Sequence, residues 1–167
     1  NDLIHGDDGH DIIWGGTGND TIHGGADNDT IHGDAGLDTL HGGDGDDLIF
    51  GGSQDDLIFG GEGDDTLYGD GSSDTIFGDA GNDVIYGGGS ADHLYGGDGD
   101  DFIDGGTNND VISGGDGNDT LYGDSGNDTI NGDAGDDLIY GGDAMDELRG
   151  GEGNDTIYGG ANEDTIH

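Results

Sequence analysis

The sequence has no cysteine and no proline, and Arg149 is its single basic residue. Without cysteine there can be no disulfide staples and no thiolate metal sites. One basic side chain stands against 41 acidic ones, for a formal charge of -40. Such a chain repels phosphate and anionic lipid, which excludes nucleic acid and ordinary membrane surfaces as partners. Cations are its natural partners. No apolar run approaches the roughly 18 residues needed for direct membrane insertion, and no basic start followed by an apolar core marks a signal peptide. Hydrophobic residues make up only 28% of the 167 positions. A composition of this kind ordinarily belongs to disordered chains, because too little apolar surface is available to offset the entropy of ordering.

Glycine is abundant, with 43 residues, and its placement is periodic. It occupies residue 6 and every ninth residue to Gly159, giving 18 units without insertion or deletion, preceded by the partial unit Asn1 to His5. Residues 1–167 therefore read as one uninterrupted array, expected to be a segment of a longer protein. The second position of each unit is Gly or Asp, and the eighth is always Ile or Leu. The sixth is always Asp: Asp2, Asp11, Asp20, Asp29, Asp38, Asp47, Asp56, Asp65, Asp74, Asp83, Asp92, Asp101, Asp110, Asp119, Asp128, Asp137, Asp146, Asp155 and Asp164. Helix is excluded by the Gly-Gly or Gly-Asp pair that opens every unit. The last three residues, as in Thr21-Ile22-His23 or Thr66-Leu67-Tyr68, read as a short strand after a six-residue turn. Alternation sends the central residue one way and its neighbours the other. A strand so short needs copies of itself to stack on, with each Ile or Leu directed to a narrow shared core.

Units such as Gly42-Gly43-Asp44-Gly45-Asp46-Asp47-Leu48-Ile49-Phe50 resemble the RTX, or haemolysin-type, calcium-binding nonapeptide. The resemblance covers the whole chain. It implies an all-β fold, a right-handed parallel β-roll (a two-sheet β-solenoid) in which two nonapeptides, about 18 residues, make each coil. About nine coils at roughly 4.8 Å each make a rod about 43 Å long. It also implies that each Ca2+ takes Asp carboxylates from two neighbouring turns, with main-chain carbonyls of their first four positions. On this sequence Asp29 and Asp47 would share an ion with carbonyls of Gly24 to Asp27 and Gly42 to Gly45.

Physical chemistry points the same way. A coil of two nonapeptides superposes Asp11, Asp29 and Asp47 along one edge, and Asp20, Asp38 and Asp56 along the other. Carboxylates stacked at strand spacing repel. A hard divalent cation converts the repulsion into coordination, and calcium accepts six to eight oxygens in flexible geometry. Turn formation alone would accept Asn or Ser at the sixth position, yet none of the 18 units has either. About 16 ions between stacked turns would reduce the charge of -40 to -8. The Ile/Leu core is too small to order the chain unaided, so folding is expected to be coupled to calcium.

Numbering the first full unit zero separates the two edges. From Gly42 onward the even turns keep Gly at position four, while the odd turns carry Gln54, Ser72, Ser90, Asn108, Gly126, Ala144 and Asn162. Leu37, Ala91 and Met145 intrude at position five of odd turns. Both edges are expected to bind, the odd one more weakly. The even strands end in Trp14, His32, Phe50, Tyr68, Tyr86, Asp104, Tyr122, Tyr140 and Tyr158. This aromatic face is read as cross-strand stabilisation or as a contact for another roll or a neighbouring domain. His5, His23 and His41 are expected to stack on the odd sheet rather than converge on a metal. The Asn-Asp-Thr triplets, as at Asn118, follow from the repeat itself.

The function expected is that of a calcium-binding structural repeat module. The resemblance places it in a secreted, extracellular bacterial protein that leaves by a type I route and folds where calcium is plentiful. The second candidate is a self-assembling calcium-dependent extracellular fibre or surface-layer component. No nucleophile with a base and an orienting partner is evident, so no enzyme is expected.

Overall fold

The structure, a computed structural model, describes residues 1–167. Each strand begins at the seventh position of a unit, just before the inward Ile or Leu. The series runs from β1 (Leu3–Asp8) and β2 (Ile12–Thr17) at nine-residue steps to β18 (Thr156–Gly160) and β19 (Thr165–Ile166), with no helix. Most strands are six residues long rather than three, because the first three residues of the following unit go on pairing. Between β3 (Thr21–Ala26) and β5 (Thr39–Asp44), Ile22 pairs with Leu40, and so do Gly25 with Gly43 and Ala26 with Asp44. The strand kinks at the second position, where φ is positive: 70° at Asp34 and 124° at Gly43. Glycine and the short polar Asp are among the few residues that adopt this conformation readily, which accounts for their monopoly of the position.

Consecutive strands do not pair. The odd strands form a ten-stranded sheet and the even strands a nine-stranded one. Both are parallel with an offset of one coil, as in Ile85 against Ile103 and Leu94 against Ile112. The sheets face each other across two files of Ile and Leu, with 16 side chains buried from Ile13 to Leu148. Of the backbone hydrogen bonds, 31 lie outside the strands. Thus the Thr66 N–H donates to the Asp47 carbonyl at 2.8 Å, and the Gly63 N–H to the Ala80 carbonyl at 2.8 Å. The turns are stitched coil to coil as firmly as the sheets.

The outer faces carry ring ladders. On the even sheet, rings stack from Trp14 through Tyr86 and again from Tyr122 to Tyr158. Asp104 interrupts this row, and Phe102 fills the gap with ring planes tilted by 54° and 43° to its neighbours. The odd sheet has its own ladder from His5 to Tyr95, before Ser113, Asn131 and Arg149 replace the rings. Aromatic stacking is therefore not confined to the even face. His5, His23 and His41 lie parallel at 5.0 and 4.6 Å, as the ladder reading expects.

Candidate metal centre

The sixth-position carboxylates run in two files, one inside each turn edge. Every carboxylate with a coil preceding it accepts a main-chain N–H from the equivalent Asp of that coil. In mid-rod, the Asp65 N–H donates to Asp83 Oδ1 at 2.8 Å and the Asp74 N–H to Asp92 Oδ1 at 2.8 Å. The files start at Asp2, whose N–H donates to Asp20, and at Asp11, whose N–H donates to Asp29; they end at Asp155 and Asp164. From Asp20 to Asp146 these residues are 1–4% exposed. Asp2 is exposed, while Asp11, Asp155 and Asp164 are half-buried in the terminal coils.

From Asp20 to Asp146, one oxygen of each carboxylate is thus satisfied and the other is not. Oδ2 of all 16 sixth-position residues from Asp11 to Asp146 is buried without a hydrogen-bond partner. These oxygens line a cradle beside the first-position glycine. A Cβ placed on Gly15 would lie 2.8 Å from Asp20 Oδ2 and 2.7 Å from the Gly33 carbonyl oxygen of the next coil. A carboxylate oxygen without a donor and a carbonyl oxygen, both negative, face the same small space. Native proteins rarely leave buried acceptors in this state. An oxygen-only donor set suits a hard cation, and calcium in particular.

No point in the chain gathers three His, Asp or Glu side chains. The protein ligands of an ion here would therefore be main-chain carbonyls as well as carboxylates, and glycine keeps the cradle open for it. Replacing Gly69 with Ala should severely impair the array, since the added Cβ would lie 2.5 Å from Asp74 Oδ2 and 2.8 Å from the Gly87 carbonyl. Gly71 in the same turn has nothing within 4 Å and no positive φ, so Gly71→Ala should fold and bind calcium as the parent does. Calcium titrations of the two variants, followed by circular dichroism, check the contrast.

Burial disfavours the charged form of these acids. It raises Asp47, Asp83 and Asp92 to about 6, Asp56, Asp74 and Asp101 to about 7, and Asp65 and Asp110 to about 8. The N–H donated to Oδ1 offsets part of the effect, and neighbouring carboxylates add to it. Asp20 is instead lowered, first by the Asp2 N–H it accepts.

Sequence reasoning missed a second ladder, at position five. Its side chains accept the N–H of the following coil, opposite in direction to the sixth-position file. On the even edge Asn82 N–H donates to Asp64 Oδ1 at 2.8 Å, Asp100 N–H to Asn82 Oδ1 at 2.9 Å and Asn118 N–H to Asp100 Oδ1 at 2.7 Å. From Asp64 to Asn154 acid and amide alternate, so a neutral side chain separates each pair of charges. That alternation, visible in the sequence, was the signal. Leu37, Ala91 and Met145 have no side-chain acceptor and break the odd-edge ladder.

Position four has positive φ in every full turn. The odd edge holds Gln54 at 79°, Ser72 at 104° and Ala144 at 84° in this region, whereas Asp27 is the one non-glycine there on the even edge. Side chains with a Cβ are strained in it.

No curated relative matches the chain. The family model described as RTX calcium-binding nonapeptide repeat (4 copies) matches residues 1–31, 32–67, 41–76, 68–103, 104–139 and 140–167. These matches span every coil whose turns carry the oxygen cradles, and the chain belongs to the RTX calcium-binding nonapeptide repeat family.

Proposed function

We propose that this array is a folding module actuated by calcium, disordered where the ion is scarce and a rigid rod where it is plentiful. The observation that carries the reading is the file of 16 buried Oδ2 atoms without partners. Each sits where a cation would offset both the desolvated carboxylate and the carbonyl facing it. The proposed ligands are the sixth-position residues Asp2 to Asp164, with main-chain carbonyls of the adjoining turns. When bound, calcium supplies positive charge between stacked carboxylates. The chain's own part is to aim Oδ2 inward, by engaging Oδ1 with an N–H, and to hold the cradle free of side chains.

The family is typical of secreted proteins, and the reading extends this to a module of a larger secreted bacterial protein. Export as an unfolded chain by a type I route and folding outside agree with extracellular calcium sites, which operate at about 10⁻⁴–10⁻³ M. The role is structural. The stacked rings support cross-strand stabilisation, since their faces are turned to one another along the rod.

Isothermal titration of the chelator-treated chain with calcium should give about 16 ions per chain, one for each interval between stacked turns. Binding of only a few ions, without heat from folding, would contradict the proposal. The two edges should fill unequally. Gln54→Gly, Ser72→Gly and Ala144→Gly each relieve roughly 1 kcal/mol of backbone strain. The triple variant should therefore fill its weaker sites at lower free calcium, read as a leftward shift of the late part of the isotherm.

A further inference from the structure

The odd edge differs from the even one in charge as well as in backbone strain. Outside the sixth-position file, positions four and five, which lie between the strands, carry five acidic residues on the even edge and only Asp55 and Glu163 on the odd edge. The odd turns around Ala91 and Asn109, at mid-rod, carry none at these positions. A rod that keeps net negative charge even when loaded with calcium meets least repulsion from a like rod along this edge.

Leu37, Ala91 and Met145 lie on the same edge, all exposed, with Leu37 at 48% and Met145 at 61%. Leu37 and Met145 each occupy a slot whose side chain could accept an N–H from the next coil, and each forgoes that bond to place an apolar side chain in water. Nothing within a single chain compensates. Departures from a local rule without internal compensation mark positions shaped by something other than folding. Their spacing is regular, with three coils from Leu37 to Ala91 and three more from Ala91 to Met145.

We propose that the odd edge is an interface with a second copy of this chain, lying antiparallel about a two-fold axis at Ala91. The inference rests on the calcium-loaded rod. Under this symmetry Leu37 of each copy meets the second copy's Met145, and the two Ala91 residues meet at the axis. An isologous contact requires such self-complementarity. Parallel pairing would also align the three residues, but would set Asp55 and Glu163 each against itself. The antiparallel arrangement sets Asp55 opposite Gly126 and Asn127, and Glu163 opposite Gly18 and Asn19, none of them acidic. A strip about 43 Å long and 10 Å wide covers roughly 400 Å2 on each copy, below the ~800 Å2 per partner of a standard stable interface. The dimer should be weak and reversible, and stronger as salt screens the residual charge.

Sedimentation equilibrium of the calcium-loaded chain, with circular dichroism on the same samples, tests the inference. The mass should rise from 16.8 kDa toward twice that value as the concentration is raised from micromolar toward millimolar, more readily at higher salt. The variant carrying Leu37→Asn and Met145→Asn, which restores the side-chain acceptors, should fold equally well and remain a monomer. Under oxidation, a mixture of the single variants Leu37→Cys and Met145→Cys should give the mixed covalent dimer. Preferential Leu37→Cys homodimers would overturn the antiparallel arrangement. A folded wild type that stays monomeric throughout, or association that survives in the double variant and is lost with Tyr140→Ser, would overturn the interface itself. Absence of β structure with calcium present would instead count against calcium-driven folding.

Discussion

Asp83→Asn is expected to lower the calcium stoichiometry by about one to two ions, since each carboxylate adjoins two intervals, and to uncouple the coils on either side. Asparagine is nearly isosteric, and its Oδ1 can still accept the Asp65 N–H that now binds Asp83. Its amide group would take the place of the unpartnered Oδ2, beside the Gly96 carbonyl that bounds the Gly78 cradle. It would supply a donor to that carbonyl, so the metal-free turn should gain from the change. If the sixth position served turn geometry alone, the substitution would be neutral or stabilising under every condition. A ligand role requires opposite effects, with a modest gain in chelator and a loss in calcium. Titration calorimetry and thermal unfolding in calcium, with circular dichroism across pH in chelator, separate the two. An unchanged calcium stoichiometry would remove Asp83 from the ligand set.

The second large effect is on pH. In the roll, burial pushes the mid-rod carboxyls up to about 6 to about 8, against an ordinary value of 3.8. Because the folded-state values are raised, the folded state holds more protons than the unfolded chain between these limits. Their relative contribution to stability is fully present below about 3.8 and is lost as pH rises through about 6 to 8. In chelator, acidification from pH 8 toward 5 should therefore increase β structure, as protons neutralise the files in place of calcium. With calcium present the slope reverses, because protons compete for the same oxygens. Binding should weaken on acidification, and calcium uptake near pH 6 should release protons measurable in weakly buffered solution. Circular dichroism across pH, with and without calcium, should give curves of opposite sign. Parallel curves would contradict the coupling between the carboxylate files and the ion.

Much of this architecture was legible because the repeat leaves little freedom. An inward Ile or Leu every ninth residue fixes two facing files, and a coil of two units fixes which Asp lies over which. Strand length was less legible. Residues such as Gly25 and Ala26 look like turn by composition, yet they pair because a kink at positive φ need not end a ladder. The exclusive choice of Gly or Asp at position two was the clue. Phe102 reads in the sequence as part of an apolar face, but its lean across the gap at Asp104 depends on the rings of Tyr86 and Tyr122, in the coils to either side. The inward aim of Oδ2 could not be read from composition either. It follows from the N–H of the preceding coil capturing Oδ1, a contact that exists only once the coils are stacked.

The most direct test is the far-ultraviolet circular dichroism of the chain in excess chelator at neutral pH, followed by addition of calcium to millimolar concentration. Calcium-coupled folding predicts a disordered spectrum that converts cooperatively to a β spectrum as calcium is added and reverts when it is withdrawn. A β-rich spectrum in chelator at neutral pH, unchanged by calcium, would show that the buried carboxylate files are tolerated without a cation and would contradict calcium-coupled folding.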